Sequence, residues 1–441
     1  MSAAIAIAGI VVGVIIMCIL LFRGVHPFVA AIIGSVIIAI TGQDGLYDAL
    51  KNQYMGGFAD FFGSNFLIFV AGALFGKVFE ITNAAKSIAN MLVKACGKRF
   101  ALIGLSLATG IMSYAGIVGF VLCFAVWPIA VEICRESDIP RRFAPAAIVM
   151  GCVTYSGFGP FNAQVANVAV ASSLGTDLGA AWKVSLIGVA FSVVITAVIL
   201  MTLIARARSK GEHFVALESD GANASGTENL PNGLLALIPI VVTVLLINIK
   251  VGGSAILQPE FGVFVGAVLA YALMFRHVAK DGVSLWKRAA EAVVNAIGAA
   301  AGTSAMVAIG SVVKVSAGWD TMIGAIVNIP GPPLVAVAVG GMVMGAIMGS
   351  GTGAAGLTAP MFQPIFGPLG VSPVALHRTI VASTLAGGTL PNCGFFNTMI
   401  LGIAKSNYKE CYGPIFWTCP FSNFLSTIVM VVLMSVFPSL V

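Results

Sequence analysis

Four short clusters of glycine, hydroxyl, amide and proline residues carry the chemistry that this sequence offers. They fall at residues 113–120, 154–162, 349–356 and 387–398. Each interrupts an apolar stretch. A helix that starts at such a break leaves about four backbone N–H groups unpaired and carries a partial positive charge. Several starts aimed at one point would hold a carboxylate without a buried Lys or Arg. The candidate binding residues are Ser113, Gly116, Gly119, Thr154, Ser156, Gly157, Asn162, Gln164, Ser350, Gly351, Thr352, Gly353, Thr389, Asn392, Asn397 and Thr398. Their hydroxyls and amides would bind substrate hydroxyls. Oxygens near Ser113, Asn162, Thr352 and Asn392 would also suit a sodium ion. An isolated Ser or Thr in a membrane helix is ordinary packing glue. Four Gly/Ser/Thr/Asn/Pro clusters together point to a binding site, because glue does not require a broken backbone.

Other chemistries find little support. The eight cysteines show no CxxC spacing and the four histidines no clustering, so neither a metal nor a redox role is expected. Residues 154–159 match a potassium filter only loosely. Residues 349–356 lack the Lys and the preceding strand of a phosphate loop. There is no HExxH and no Ser/His/Asp arrangement, so the chain is not expected to be an enzyme or to hold a cofactor.

Few ionisable residues lie within the apolar stretches. Asp60 sits beside Gly63, Ser64 and Asn65 at the start of a span, and an interfacial place is expected for it. Lys77 and Glu80 could pair at i, i+3. Lys314 is expected to snorkel to the outer face. His377 and Arg378 are expected at the outer mouth, as anchors or as recruiters of anions.

These residues must be positioned in a bilayer. Of 441 residues, 59% are hydrophobic and only 9% charged, against about a quarter charged in soluble domains. Apolar runs at 3–22, 26–41, 61–80, 179–205, 233–249, 258–275, 292–313 and 413–437 read as spans. The first run lacks a basic flank and a cleavage site, so it reads as a retained span. The interrupted stretches read as re-entrant hairpins at about 100–133 and 332–372 and as broken helices at about 140–176 and 374–404. A polar segment, 206–231, divides the chain near its middle and reads as a cytoplasmic linker. The sequon Asn223-Ala224-Ser225 inside it is read as chance.

Charge sets the orientation. With the N-terminus outside, only Lys51, Lys183, Lys250, Lys314 and Arg378 of the 23 basic residues fall on the outer side. This arrangement needs an odd number of crossings per half, which inverts residues 1–205 against 232–441. The expected fold is an all-α polytopic membrane protein with two inverted-topology repeats, about ten transmembrane helices and two re-entrant hairpins with broken helices. Both termini would lie outside the inner membrane. The two breaks, at Gly159-Pro160 and Leu390-Pro391, each place an Asn just after the Pro.

At these motifs the chain resembles the gluconate permease (GntP) family of organic-anion symporters, within the wider ion transporter superfamily. The resemblance runs over nearly the whole length. Its points are the Lys77 helix with the following amphipathic stretch 84–98, the VGFVL run 118–122, the break at 154–160, GSGTGAAG at 349–356 and GVSP at 370–373. The resemblance implies import, coupled to protons, of small hydroxy- or oxo-carboxylates such as gluconate or hydroxybutyrate. It also implies an elevator-type mechanism, with a scaffold and a moving domain that carries the hairpins, and a homodimer. Two titratable groups often found in the family are absent: a Glu before the VGF run and a His-Pro pair in the first broken helix. The coupling ion therefore stays open between H+ and Na+. A passive anion channel or uniporter, or a symporter of another anion such as a sulfonate, is the alternative. The expected partners are the substrate anion and the lipid bilayer, with no nucleic acid.

Overall fold

The computed structural model describes residues 3–42, 45–114, 119–162, 164–217, 220, 230–251, 254–278 and 283–441. The described chain is almost entirely helical. In the first half, α1 (Ala3–Phe22) and α2 (Pro27–Gly42) pack together. A short α3 (Leu46–Asp48) and a π-helical turn (Ala49–Tyr54) lead into the long α4 (Met55–Ile81). Next, α5 (Ala84–Tyr114) is split at Gly97, whose φ of 75° is non-helical, into pieces 84–96 and 98–114. The second piece packs on α6 (Gly119–Glu136). α7 (Phe143–Val149) ends in a π-helical turn (Met150–Tyr155), and α8 (Val165–Leu174) and α9 (Trp182–Ser209) follow.

The second half follows. α10 (Gly233–Asn248) and α11 (Pro259–Met274) are joined by a two-rung hairpin of β1 (Lys250–Val251) and β2 (Ser254–Ala255). Then come the long α12 (Leu285–Val315) and the short α13 (Trp319–Val327). The pair α14 (Pro333–Met348) and α15 (Gly351–Phe366) follows. α16 (Pro373–Gly387) and α17 (Gly394–Asn397), the latter continued by a π-helical turn (Thr398–Ile403), flank the second break. α18 (Tyr408–Thr418) and α19 (Pro420–Val436) complete the chain.

Local signals explain the boundaries. Asn232, Ser284, Ser350, Ser372 and Asn407 cap helix starts by accepting from backbone N–H groups two or three residues on. Pro259, Pro333, Pro373 and Pro420 occupy first helical positions, where a missing N–H costs nothing. Among the described residues, six helical stretches are long and apolar enough to cross a membrane: Ala3–Phe22, Leu46–Ile81, Trp182–Ser209, Pro259–His277, Leu285–Val315 and Tyr408–Val436. The expected spans near 26–41 and 233–249 form helices of 16 residues each. At 1.5 Å per residue such helices reach only about 24 Å. The polar segment also starts later than its composition suggests, since α9 continues to Ser209. Most of the remainder, with the sequon, lies outside the described residues.

The two long helices, α4 and α12, pack against each other along their length. Close approach relies on small residues: a Cβ on Gly57 would lie 2.3 Å from Ser311 Oγ. Tyr54 OH anchors the seam by donating to Ala305 O at 3.1 Å.

Glycine also welds each hairpin to its own break. A Cβ on Gly151 would lie 2.4 Å from Ser106 O, and one on Gly387 would lie 1.9 Å from Met342 O. Gly345 would meet Thr384 O at 2.3 Å, and Gly388 would meet Gly351 N at 2.1 Å. Backbone lies against backbone here, so no larger residue fits without moving a helix.

Candidate binding site

A cavity of about 390 Å³ lies where these elements converge. Its wall has three sources. The hairpins give Gly119 and Phe120 on one side and Gly349, Ser350, Gly351, Thr352 and Gly353 on the other. The breaks give Cys152, Val153, Gln164 and Val165, and Leu385, Gly388, Thr389, Cys393 and Phe395. The long helices give Phe61, Asn65, Thr303 and Val307.

The second hairpin turns at Gly349, which adopts φ +58°. A side chain there would be strained, and its Cβ would lie 2.5 Å from Asn392 O. The tip is bonded to the break of its own half. Gly394 N donates to Gly349 O at 3.2 Å, and Asn392 Nδ2 donates to Ala346 O at 2.6 Å. Ser350 then starts α15 by accepting from Gly353 N at 3.2 Å, and Gly351, Thr352 and Gly353 of its first turn line the cavity.

At the first break, Gln164 projects into the cavity and back onto the hairpin arm. Its Nε2 donates to Ser113 Oγ at 2.8 Å and Ser156 Oγ at 2.7 Å, and lies 3.2 Å from Cys152 O. Ser113 Oγ donates to Cys152 O at 3.0 Å, and Ser156 Oγ lies 2.8 Å from the same carbonyl and 3.1 Å from Gly151 O. A half-turn of the Gln164 amide puts Oε1 where Nε2 stands. The Gln164, Ser113, Ser156 and Cys152 oxygens then face one another, a donor set suited to a hard monovalent or divalent cation.

The candidate residues divide by place. Gly119, Gln164, Ser350, Gly351, Thr352, Gly353 and Thr389 line the cavity. Ser113 and Ser156 are buried behind it through Gln164. Asn162 is fully buried and folds the break: Nδ2 donates to Ser156 O and Gly159 O at 2.8 and 2.6 Å, and Oδ1 accepts from Gln164 N at 3.1 Å. Thr154 points away, donating to Thr418 O, and Gly157 packs against Leu385. Asn392, Asn397 and Thr398 are buried outside the wall. Thr398 meets the Thr303 hydroxyl, while Asn392 Oδ1 and Asn397 Oδ1 have no hydrogen-bond partner among the described residues. Gly116 lies outside the described residues.

The long helices contribute wall residues that no break motif marks. Asn65 was grouped with the interfacial Asp60 by its neighbours, yet it faces the cavity while Asp60 is exposed. Thr303 lies in a Gly-Thr-Ser run of α12, a weak signal in a helix full of small residues. Phe120 closes one end of the cavity against Phe61, Phe69 and Phe395, with ring centroids 6.2, 4.5 and 5.4 Å away.

Two expectations about charge resolve differently. Lys77 and Glu80 pair at 2.9 Å, as their spacing implies. His377 and Arg378 are not at a mouth: both are fully buried. α16 turns them into the protein, onto the loop that follows the first break. His377 Nδ1 lies 2.6 Å from Thr176 Oγ1, and Nε2 lies 2.8 Å from Asn167 Oδ1.

The apolar helices, with a cavity where the hairpins, breaks and long helices meet, describe a multi-pass membrane protein. The chain belongs to the GntP permease family: the family model for GntP family permeases matches residues 5–397. An uncharacterized transporter of Bacillus subtilis is 30% identical over 188 residues, which cover 42% of this chain and 40% of the relative. An uncharacterized transporter of Haemophilus influenzae is 28% identical over 185 residues, covering 42% and 41%. The high-affinity gluconate transporter of Escherichia coli is 23% identical over 230 residues, covering 51% and 48%. The chain thus matches about half the length, or less, of these curated relatives. The solved YdaH transporter of Alcanivorax borkumensis aligns over 94% of this chain and 98% of its own, at 16% identity and a TM-score of 0.43. The family is one of permeases, not enzymes.

Proposed function

We propose that the chain is a secondary active transporter that imports a small hydroxy- or oxo-carboxylate across the bacterial inner membrane by sodium symport. The observation that carries this reading is the cavity itself. Two hairpin tips or arms, two helix breaks and two long helices meet around a space of about 390 Å³. Helix starts supply N–H groups for the carboxylate. Gln164, Ser350, Thr352 and Thr389 supply partners for hydroxyl or oxo groups. The oxygen cluster of Ser113, Ser156, Gln164 and Cys152 supports sodium over protons as the driving ion, since among the described residues no carboxylate or histidine lines the cavity.

In this reading the two halves are inverted repeats with both termini outside. The long helices form a scaffold, and the hairpins and breaks travel as an elevator. The functional unit is a homodimer. The gluconate transporter among the matched relatives supports a sugar acid as substrate class.

The test is uptake of gluconate, 3-hydroxybutyrate and lactate into proteoliposomes. One arm imposes an inward sodium gradient at equal pH; the other imposes a proton gradient without sodium. Accumulation above equilibrium under sodium alone is expected. Accumulation under protons alone would reassign the ion. Equilibration without accumulation under either gradient would make the protein a channel or uniporter.

A further inference from the structure

Arg378 is the largest fully buried side chain among the described residues. It extends from α16, in the second half, across to the first break. Nη1 donates to Phe158 O at 3.0 Å and lies 3.4 Å from Gly159 O. Nε and Nη2 donate to Ala180 O at 3.1 and 2.9 Å, and Nη2 lies 3.4 Å from Leu178 O. All of these partners are backbone carbonyls. No carboxylate lies within 4 Å of the guanidinium: no described ion pair includes Arg378. Asp177 lies nearby, its carboxylate accepting from Gly179 N at 2.6 Å, and favours the charged guanidinium from beyond ion-pair distance.

Burying an unpaired charge is costly, and the cost is met in proteins by an opposite charge nearby. Tying four carbonyls together does not itself demand a full charge; neutral donors do this elsewhere in the same loop. Asn167 Nδ2, for example, donates to Asn162 O and Leu178 O at 2.9 and 3.2 Å. The charge therefore calls for another explanation, and the local wiring offers one. Gly159 O, near Arg378, also accepts from Asn162 Nδ2, and Asn162 Oδ1 accepts from the backbone of Gln164, which lines the cavity. Phe158 and Gly159 lie just beyond the π-helical turn. Arg378 covers their carbonyls behind Asn162, which bonds to Gln164 of the cavity wall.

We infer that Arg378 is a positioning residue for the anion: it neutralises the carbonyl end of the first break and supplies the positive charge that the bound carboxylate balances. It does so without touching the cavity wall. This inference rests on the anion-transport reading above.

The experiment measures the affinity of the detergent-purified full chain for gluconate, 3-hydroxybutyrate and lactate by thermal shift at saturating sodium. Sorbitol serves as an uncharged probe. Arg378→Gln, Arg378→Lys and His377→Gln are compared with the wild type. His377 holds the same loop through neutral contacts, so its variant reports a purely structural loss. Arg378→Gln is expected to weaken carboxylate binding about twentyfold or more, and Arg378→Lys less than about fivefold. His377→Gln is expected to change affinity less than about threefold. Equal binding by the wild type and a folded Arg378→Gln variant overturns the assignment, as does an equal loss in His377→Gln. Where Arg378→Gln does not fold, Arg378→Lys decides alone: charge is kept and the planar fork lost, and a loss beyond about fiftyfold overturns the charge role. A wild type stabilised by sorbitol but by no carboxylate refutes the anion reading itself, and the inference falls with it.

Discussion

Gln164 Nε2 lies 2.8 Å from Ser113 Oγ, so the first break and the first hairpin arm share one polar knot. The knot draws a side chain from a loop, a hydroxyl from a helix and a carbonyl from a π-helical turn. Such a turn frees carbonyls that a regular α-helix would consume. In the proposed mechanism this knot opens to take the ion. Ser113→Ala and Gln164→Ala should therefore raise the sodium concentration for half-maximal uptake about tenfold or more, at unchanged expression. Unchanged sodium dependence in both variants would remove the knot as the ion site.

Asn65 and Asn162 should separate affinity from stability. Asn65 is half-buried, faces the cavity and spends its amide only on Phe61 O of its own helix at 2.9 Å. Asn65→Ala should raise KM severalfold with little effect on Tm. Asn162 spends its side chain on three backbone partners inside the break. Asn162→Ala leaves buried groups unpaired and should cost about 1–3 kcal/mol of stability. Thermal unfolding and uptake kinetics on both variants check this, and a reversed pattern would contradict the placement of the cavity.

The glycine weld of the second half predicts a severe packing defect. A Cβ on Gly387 would lie 1.9 Å from Met342 O. Gly387→Val should destabilise the protein by more than the roughly 1–3 kcal/mol of ordinary overpacking, because backbone must move. Gly56, whose added Cβ meets nothing within 4 Å, is the control: Gly56→Ala should express and melt like the wild type. Size-exclusion profiles and melting curves of the pair are the measurement.

The Lys77–Glu80 bridge should matter little to stability. Both side chains are partly exposed, at 24% and 32%. Lys77→Met should change stability by less than about 1 kcal/mol. A larger loss in the melting temperature would mean that the pair has partners beyond each other.

A pH effect is expected on the linker side. Asp138, in the loop between α6 and α7, is bonded to His213 Nδ1 at 2.7 Å and accepts from Phe214 N at 3.0 Å. These bonds hold its carboxyl below the usual carboxylate range. A depressed carboxyl stabilises the fold while it is ionised. The clasp should be intact above about pH 4 and loosen as pH falls through the lowered value. Protection of residues 212–216 from hydrogen exchange, relative to the intrinsic rate at each pH, should fall in acid, and Asp138→Asn should already lack it at neutral pH. Identical exchange in the two proteins would show that the clasp contributes nothing.

Much of the site was legible because breaking a helix in an apolar chain requires Gly, Pro and small polar residues. That pattern brought out the loops that border the cavity, including Gln164 and residues 350–353. It could not tell a wall residue from a brace. Asn162 and Asn392 have the right chemistry and sit beside the right prolines, yet Asn162 is turned onto the backbone of its own break and Asn392 onto Ala346 O of the neighbouring hairpin arm. The reverse error befell Asn65 and Thr303, which lie on continuous helices and carry no break signal. Arg378 misled for another reason. Near a helix start, an Arg reads as an anchor, and only tertiary packing shows that it enters the other half of the protein. The helices of α2 and α10 read as full spans because hydropathy does not count the residues that turn corners.

The glycine welds have a mechanical consequence. With no room for a methyl group between hairpin and break, each pair behaves as a single casting, and rearrangement must be taken up at joints elsewhere. Such joints flank the two short helices that leave the long ones. Asn83 and Gly97, at φ 58° and 75°, bound helix 84–96, and Gly331, at φ 124°, follows α13. In the proposed elevator these two helices would act as the levers, and their length, fixed by the number of turns they contain, would limit how far the casting is displaced.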